Sequence, residues 1–235
     1  MRPPFPNPNQ PAPQAKVCGL TQLGDAMACA EAGVAAIGIN FWPKSKRWHP
    51  LASARQWLDA VPEGVCRVGV FVNATAEEID AVLRTGCIDA VQFHGDEPED
   101  FVRQHLDRGV RCIRALALRS EADLEKVAAC PAVDVLLDAW QPGAYGGGGV
   151  PCDWALAQQA VRGFPDKRII LSGGLAPENV ASAVEAVRPH AVDVASGVEL
   201  APGRKDSERV RRFAREVARC RQSFGGLQQG NPHRH

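Results

Sequence analysis

Short apolar segments alternate with amphipathic helical patterns along most of this chain, and this alternation constrains its fold more than any other feature. The helical patterns have readable ends: Thr75 and Glu78 form a capping box, and Thr21 can cap a helix that ends at Gly33. Apolar strands that alternate with helices form a parallel sheet covered by those helices. Eight repeats favour a closed (β/α)8 barrel of the α/β class over an open doubly wound sheet. The predicted strands are Lys16–Cys18, Ala36–Asn40, Arg67–Val72, Ala90–His94, Arg111–Ala115, Val133–Asp138, Arg168–Leu171 and Ala191–Val194.

The domain organisation follows from this repeat and not from length, since 235 residues could form one large domain or two small ones. The repeat extends over residues 15–220, so we predict a single barrel domain there. Residues 1–14 are rich in proline and poor in apolar residues, which predicts a disordered N-terminal arm. Small and polar residues dominate positions 221–235, which predicts a flexible C-terminal tail.

Composition limits the kinds of partner that the chain can have. Its 27 Lys and Arg residues balance 27 Asp and Glu residues, so no overall field attracts nucleic acid or an anionic membrane. No apolar run reaches the length of a membrane span, and the N-terminus lacks the apolar core of a secretory signal. The eight cysteines are scattered without a Cys-x-x-Cys pair, which indicates core thiols in a reducing compartment and not zinc ligands. We therefore expect a cytoplasmic protein with a small-molecule partner, and neither a nucleic-acid nor a membrane partner.

Two glycine-containing loops follow the last two predicted strands. Glycine lets the backbone approach an anion closely, and the N–H groups of the following turn supply hydrogen-bond donors. In many (β/α)8 barrels these two loops hold a phosphate. One such loop more often only turns the chain, but two at successive strand ends favour a phosphate-binding cup. The candidate residues are Ser172, Gly173, Gly174, Ser196 and Gly197.

A thiol and a carboxyl group are predicted at strand ends, where the reacting groups of (β/α)8 barrels converge. Cys18 can act as a base if its pKa is lowered, and Asp138 can donate a proton if burial raises its pKa. Both residues also have structural interpretations, Cys18 as a small core residue and Asp138 as a helix cap. An acid and a base that face each other across a bound phosphate would suit isomerisation by proton transfer.

Two further residues are candidates for the lining of the same pocket. His94 ends a predicted strand and is more often a structural hydrogen-bonding residue than a catalyst, so we predict that it lines the pocket. Arg47 lies in a basic loop that would be solvated by default. Beside an aromatic residue such as Trp48, however, an arginine can clamp a carboxylate with two hydrogen bonds while the ring covers the ligand.

Nine motifs occur in the order of a known enzyme family between about residue 15 and residue 220. Together they resemble the phosphoribosylanthranilate isomerase family, and their number and order make the resemblance specific although each motif is weak alone. The motifs are Lys16–Thr21, Phe41–Arg47, Val68–Asn73, Val91–Glu97, Leu136–Asp138, Asp153–Trp154, Leu171–Val180, Val192–Glu199 and Gly203–Asp206.

The resemblance implies an Amadori rearrangement of N-(5-phosphoribosyl)anthranilate in tryptophan biosynthesis. By analogy with the family, Asp138 protonates the furanose ring oxygen and Cys18 removes the proton from C2 of the sugar. Arg47 would bind the anthranilate carboxylate, the two glycine loops would bind the phosphate, and His94 and Asp193 would line the pocket. The resemblance implies no metal and no redox cofactor. We expect a monomer or a homodimer, a choice that the sequence leaves open.

Some residues depart from the family pattern, and other functions stay open. Gly148 replaces a hydroxyl residue, Pro151 is an additional proline, and Ala195 replaces a serine near the phosphate. The alternatives are another sugar-phosphate barrel isomerase and a non-catalytic phosphate-binding barrel. The related isomerase of histidine synthesis is expected to have an aspartate at the position of Cys18, which favours the first interpretation over it.

Overall fold

The strands form the closed parallel barrel that the repeat predicts. The computed structural model describes residues 2–139 and 152–228. Eight strands pair in chain order, and the eighth pairs with the first to close the barrel. They are β1 (Gln14–Cys18), β2 (Ala36–Asn40), β3 (Cys66–Phe71), β4 (Ala90–Phe93), β5 (Cys112–Leu118), β6 (Asp134–Ala139), β7 (Arg168–Leu171) and β8 (Ala191–Val194).

A helix follows each strand, and together the helices cover the outer face of the barrel. Within the described ranges, none of them combines the length and the apolar character needed to cross a membrane. A short antiparallel hairpin, β9 (Glu199–Ala201) and β10 (Arg204–Lys205), precedes the last helix. The helices are α1 (Leu23–Glu31), α2 (Leu51–Ala54), α3 (Ala76–Leu83), α4 (Glu99–Asp107), α5 (Leu124–Ala129), α6 (Trp154–Gly163), α7 (Val180–Val187) and α8 (Ser207–Gln228).

The two predicted helix caps have different outcomes. At α3, the Thr75 side chain accepts a hydrogen bond from Glu78 N and the Glu78 side chain accepts one from Thr75 N, which confirms the capping box. At α1, the prediction of a Thr21 cap is wrong because Gln22 occupies the cap position. The Thr21 hydroxyl instead donates to Gly203 O at 2.8 Å, a contact with a distant part of the chain.

The inward-facing residues divide the barrel interior into two halves. The lower half, near the amino-terminal ends of the strands, is apolar, and the upper half, near their carboxyl-terminal ends, is polar. Successive strand residues point to opposite faces, so Lys16 and Cys18 of β1 both point inward. Lys16 pairs in register with Asp193 of β8, one level below the carboxyl end where Cys18 pairs with Gly38. The lower interior contains one apolar cluster, made of Phe5, Ala36, Cys66, Val68, Ala90, Ile113, Ala115, Leu136, Ile170 and Ala191.

The N-terminal segment differs from the disordered arm predicted for residues 1–14. Phe5, Pro6 and Pro13 are buried, whereas residues 8–12 are exposed, and Gln14 already belongs to β1. Phe5 is only 2% exposed and packs with the first residues of four strands, among them Ala36 and Ala191. The Arg2 guanidinium donates to three backbone carbonyls, including Val61 O at 2.6 Å. Burial of one aromatic ring, together with these hydrogen bonds, offsets the entropy cost of ordering the segment.

Replacing Phe5 with alanine should lower the free energy of unfolding by about 3 kcal/mol, because it empties a filled position in the apolar interior. Denaturant unfolding of the purified variant measures this change. Val133→Ala is a matched control, since Val133 is 45% exposed and its truncation should change stability by less than about 0.5 kcal/mol. Equal stability of the Phe5 variant and the wild type would show that the ring does not close the barrel in solution.

The C-terminal boundary also differs from the prediction of a tail from residue 221. The helix α8 continues through Gln228, and residues 229–235 lie outside the described residues. Asp206 begins the helix, because its carboxylate accepts from Glu208 N at 2.9 Å and from Arg209 N at 3.2 Å. The buried face of α8 carries Val210, Phe213 and Val217, so the helix is anchored to the barrel over its first three turns.

Candidate active site

The polar residues predicted at strand ends meet at the carboxyl-terminal rim of the barrel. Cys18 ends β1, Asp138 is the penultimate residue of β6, and His94 and Ser172 directly follow β4 and β7. Since β1 and β6 are three strands apart in a closed barrel of eight, Cys18 and Asp138 lie on different sides of the mouth. The predicted Gly146–Gly149 run, with Gly148, and also Pro151, lie outside the described residues.

Cys18 is the partly exposed cysteine of the chain, whereas the other seven are buried. Its sulfur lies against Gly38 of β2, where a Cβ atom would come within 2.7 Å of Sγ. Glycine at this position therefore leaves the space that the thiol occupies. Burial raises the pKa of the thiol and Asp193 raises it further, while the nearby cations Lys16 and Lys205 oppose this rise.

A buried ion pair between Lys16 and Asp193 lies below Cys18 in the barrel interior. Of these two residues, only Asp193 was predicted to line the pocket. Lys16 is fully buried, and its Nζ donates to Asp193 Oδ1 at 2.9 Å. The Lys16 ammonium also lies close enough to Cys18 to influence the pKa of its thiol. Asp193, predicted to line the pocket, lies one level below the rim with this lysine. The signal that identifies Lys16 is its position two residues before Cys18, on the same inward face of the strand.

Asp138 has one backbone hydrogen-bond donor and a neighbouring imidazole. Ala139 N donates to Asp138 Oδ1 at 2.9 Å, and His94 Nε2 lies 3.3 Å from Asp138 Oδ2. The amide of Gln92 lies 2.9 Å from His94 Nδ1 and so orients the imidazole ring beside Asp138. Gln92 is fully buried, one level below His94 on β4, and was not predicted from the sequence.

Arg47 does not extend freely into solvent, as the structural interpretation of its basic loop had suggested. Its Nε and Nη2 atoms donate to the two carboxylate oxygens of Glu199 at 2.8 and 2.7 Å. Lys205 Nζ reaches the same carboxylate at 2.7 Å and also donates to Cys18 O at 2.6 Å. Gly19, with φ of 78°, passes so close to the arginine that a Cβ atom there would overlap its side chain. The guanidinium is therefore fixed beside β1, near Cys18.

The two glycine loops are in backbone contact with each other, as their predicted common role requires. The strand ladder ends at Ser172, whose N–H donates to Leu137 O at 2.8 Å. Gly173 and Gly174 then take φ values of 85° and 63°, which glycine adopts without strain. Ser196 and Gly197 begin a short 3-10 helix, and the first N–H groups of a helix have no partner within it. These residues bring backbone donors together at one corner of the rim, which is the arrangement that binds a phosphate.

Gly197 sets the distance between the two loops, because a Cβ atom there would overlap the carbonyl oxygen of Leu175. The variant Gly197→Ala should therefore separate the loops and weaken binding of a phosphate ligand about tenfold or more, since about 1.4 kcal/mol corresponds to one decade. Calorimetric titration with a sugar phosphate measures the effect. Gly163→Ala is a matched control, because a Cβ atom at Gly163 meets nothing within 4 Å. Unchanged phosphate affinity in Gly197→Ala would contradict a binding role for the loop pair.

The arrangement places a carboxyl group, a thiol and a guanidinium around one anion-binding corner. A carboxyl group that accepts a backbone N–H and lies beside an imidazole can release a proton, because these neighbours stabilise the carboxylate that remains. A thiol beside a buried cation can accept a proton as its thiolate. A fixed guanidinium binds a carboxylate. The site therefore suits an acid–base reaction of a phosphorylated ligand that also carries a carboxylate.

Comparison with known proteins identifies the family of the chain. The family model described as N-(5'phosphoribosyl)anthranilate (PRA) isomerase matches residues 15–216. The N-(5'-phosphoribosyl)anthranilate isomerase of Rubrobacter xylanophilus is 45% identical over 199 residues, which cover 84% of this chain and 95% of the relative. The enzyme of the same name from Myxococcus xanthus is 46% identical over 205 residues, which cover 85% of this chain and 93% of the relative.

Solved structures show the same relationship. The crystal structure of phosphoribosyl anthranilate isomerase from Thermotoga maritima superposes with a TM-score of 0.80 at 39% identity, covering 88% of this chain and 99% of the other. A phosphoribosyl anthranilate isomerase in complex with reduced 1-(o-carboxyphenylamino)-1-deoxyribulose 5-phosphate gives a TM-score of 0.77 at 38% identity, with the same coverage of 88% and 99%. On the family match and these identities, the chain belongs to the N-(5'-phosphoribosyl)anthranilate isomerase family.

Proposed function

We propose that this protein catalyses the Amadori rearrangement of N-(5-phosphoribosyl)anthranilate to 1-(2-carboxyphenylamino)-1-deoxyribulose 5-phosphate in tryptophan biosynthesis. The observation that carries the proposal is the placement of Cys18 and Asp138 at separate strand ends of one barrel mouth, beside the paired glycine loops. The family assignment supplies the substrate, which has the phosphate and the carboxylate that the geometry suits.

Asp138 acts as the general acid in the first step. It protonates the furanose ring oxygen, the bond between that oxygen and C1 breaks, and a protonated Schiff base forms between C1 and the anthranilate nitrogen. The carboxylate left on Asp138 then accepts the hydrogen bond from Ala139 N, and the imidazole of His94 lies beside it. Because both groups are already in place, the site stabilises the charge that appears as the proton leaves.

Cys18 acts as the general base in the second step. Its thiolate removes the proton from C2, and the electron pair of that C–H bond moves towards the protonated imine. The resulting enolamine becomes the ketone when the C2 hydroxyl loses its proton and C1 gains one, so substrate and product have the same composition. The imine of the substrate itself accepts the electrons, and the proposed reaction therefore uses neither a metal nor a redox cofactor.

Arg47 positions the anthranilate ring through its carboxylate. A guanidinium has five N–H donors, and Glu199 occupies one on Nε and one on Nη2. The remaining donors on Nη1 and Nη2 are adjacent, which allows a second carboxylate to bind with two hydrogen bonds. Glu199 thus orients the guanidinium and leaves a donor pair for substrate.

The loops around Gly173 and Gly197 hold the 5-phosphate through backbone N–H groups. Ala195 lacks the hydroxyl of the serine that the family pattern has near this site, but its carbonyl accepts from Lys205 Nζ at 3.3 Å. Backbone donors do not depend on that side chain, so we propose that the phosphate site functions with alanine here.

Complementation of a tryptophan auxotroph that lacks this isomerase tests the function directly. The wild-type gene should restore growth without tryptophan, and Cys18→Ser, expressed to the same level, should not. In parallel, the purified protein should convert the ribosylated anthranilate to the ketose. Failure of soluble, folded wild-type protein in both assays would contradict the proposed function and favour a phosphate-binding barrel without activity.

The proposed setting is the cytoplasm, with the chain acting as a monomer or a homodimer. All eight cysteines are free thiols, which suits a reducing compartment. One solved relative, from Thermotoga maritima, is described as a dimeric enzyme that has been converted to monomers. Light scattering on the purified protein distinguishes the two oligomeric states.

A further inference from the structure

Lys16 is the fully buried cation of the barrel interior, and the reaction described above assigns it no role. Its exposed fraction is 0%, and its Nζ is enclosed between Asp193 on the neighbouring strand and Cys18 on its own strand. A lysine in the barrel interior carries a large desolvation cost, and an apolar pair of similar volume often stabilises a fold as well or better. Stability alone therefore does not explain a charged pair at this position.

We propose that Lys16, held by Asp193, is a positioning residue that places a buried positive charge against the Cys18 sulfur and so favours its thiolate. The inference rests on the proposed role of Cys18 as the base. Two geometric facts support it: the side chains of Lys16 and Cys18 point to the same interior, and the register of β1 and β8 sets Asp193 beside the lysine. Asp193 fixes Lys16 by the 2.9 Å hydrogen bond.

The other cationic side chains near Cys18 bind groups other than its sulfur. Lys205 approaches from β10, but its Nζ donates to Cys18 O, Ala195 O and Glu199 Oε1. Arg47 approaches from the loop after β2 and is paired with the same Glu199. Burial raises the pKa of Asp193 on β8 and Lys16 opposes this rise, and the Asp193 carboxylate disfavours the thiolate apart from its effect through Lys16. Lys16 lies on the same strand and the same inward face as Cys18, and among the nearby cations it opposes the rise of the thiol pKa most strongly.

The directions of the pKa shifts are consistent with this geometry. Burial lowers the pKa of Lys16, but Asp193 and Cys18 more than offset that effect and raise it, so the lysine is charged at neutral pH. Burial raises the pKa of Cys18, and Lys16 is the largest influence that opposes the rise. Loss of the lysine should therefore move the thiol pKa further upward and reduce the thiolate fraction at neutral pH.

Alkylation of Cys18 by iodoacetamide across a pH range tests the proposal without turnover. The rate follows the thiolate, and mass spectrometry of the Cys18 peptide separates it from the seven buried cysteines. In Lys16→Met the midpoint of the rate profile should rise by about one pH unit or more. The ascending limb of kcat/KM against pH should shift in the same direction, with KM nearly unchanged.

Lys167→Met is the matched control, because Lys167 is also a buried lysine but donates to Cys130 O at 2.7 Å, before β7 and at the other end of the barrel. It should leave the Cys18 midpoint unchanged. If Lys16→Met does not fold, the double variant Lys16→Met/Asp193→Leu removes both charges and should give an upward shift smaller than that of Lys16→Met alone, because loss of the Asp193 carboxylate favours the thiolate. A folded variant with a wild-type midpoint would overturn the proposal.

The outcomes also separate this inference from the proposed function. The alkylation profile reports the thiol in the free protein, whatever reaction the protein catalyses. A shifted midpoint together with full turnover in Cys18→Ser would support the action of Lys16 on the sulfur and remove Cys18 as the base. An unshifted alkylation midpoint in Lys16→Met, together with an inactive Cys18→Ser, would support Cys18 as the base and contradict the proposed role of Lys16.

Discussion

Asp138→Asn should reduce kcat by about 10²- to 10⁴-fold, the range that a general acid contributes. The asparagine has the same shape and can still accept the hydrogen bond from Ala139 N, but it has no acidic proton to deliver to the ring oxygen. Without that proton the furanose ring stays closed and the Schiff base does not form. Steady-state turnover of N-(5-phosphoribosyl)anthranilate measures the loss.

Binding separates a lost acid from a damaged pocket. Asp138→Asn should bind a phosphate-bearing product analogue within about threefold of the wild type, because the phosphate loops and Arg47 are unchanged by the substitution. Turnover within about threefold of wild type would contradict the assignment of Asp138. Loss of analogue binding in parallel with turnover would indicate that its role is positional.

Cys18→Ser should reduce kcat by a similar factor, about 10²- to 10⁴-fold, through the other half of the reaction. A hydroxyl group is a much weaker acid than a thiol, so a serine at this position supplies almost no oxyanion at neutral pH to remove the C2 proton. The side chain remains small enough for the space beside Gly38. The substitution therefore removes the base while the neighbouring strands keep their contacts.

Cys220→Ser is a suitable control for this variant, because Cys220 is buried on α8 and lies outside the barrel mouth. It should keep nearly full turnover. Wild-type rates in Cys18→Ser would contradict the role of the thiol, and comparable losses in both serine variants would point to a general effect of cysteine replacement.

The barrel could be predicted from the sequence because its signals are local. A buried strand such as β7 and a capping box such as that at Thr75 each lie within a few residues, and eight repeats of this kind leave few possible architectures. The N-terminal segment could not be predicted in this way. Phe5 is a single aromatic residue among prolines, and its burial depends on four strand ends that come together only in the closed barrel.

The residues of the candidate site also fall into two groups, those that local sequence signals predict and those that depend on closure of the barrel. Cys18, Asp138 and the glycine loops were predicted because strand ends mark the mouth of a barrel. Their partners are distant in sequence: Arg47 meets Glu199, 152 residues later, and Lys16 meets Asp193, 177 residues later. Such pairs depend on register and closure, which the pattern of one chain does not specify. The contact between Gln92 and His94 likewise follows from side-chain packing.

Cleavage of the C2–H bond is the step that most directly tests the account. Substrate carrying deuterium at C2 of the ribosyl group should lose it from that carbon during turnover by the wild type, as followed by NMR. Cys18→Ser, loaded with the same substrate in a single turnover, should cleave the C2–deuterium bond at least about 10²-fold more slowly. Cleavage at the wild-type rate in Cys18→Ser would contradict the claim that this thiol removes the proton.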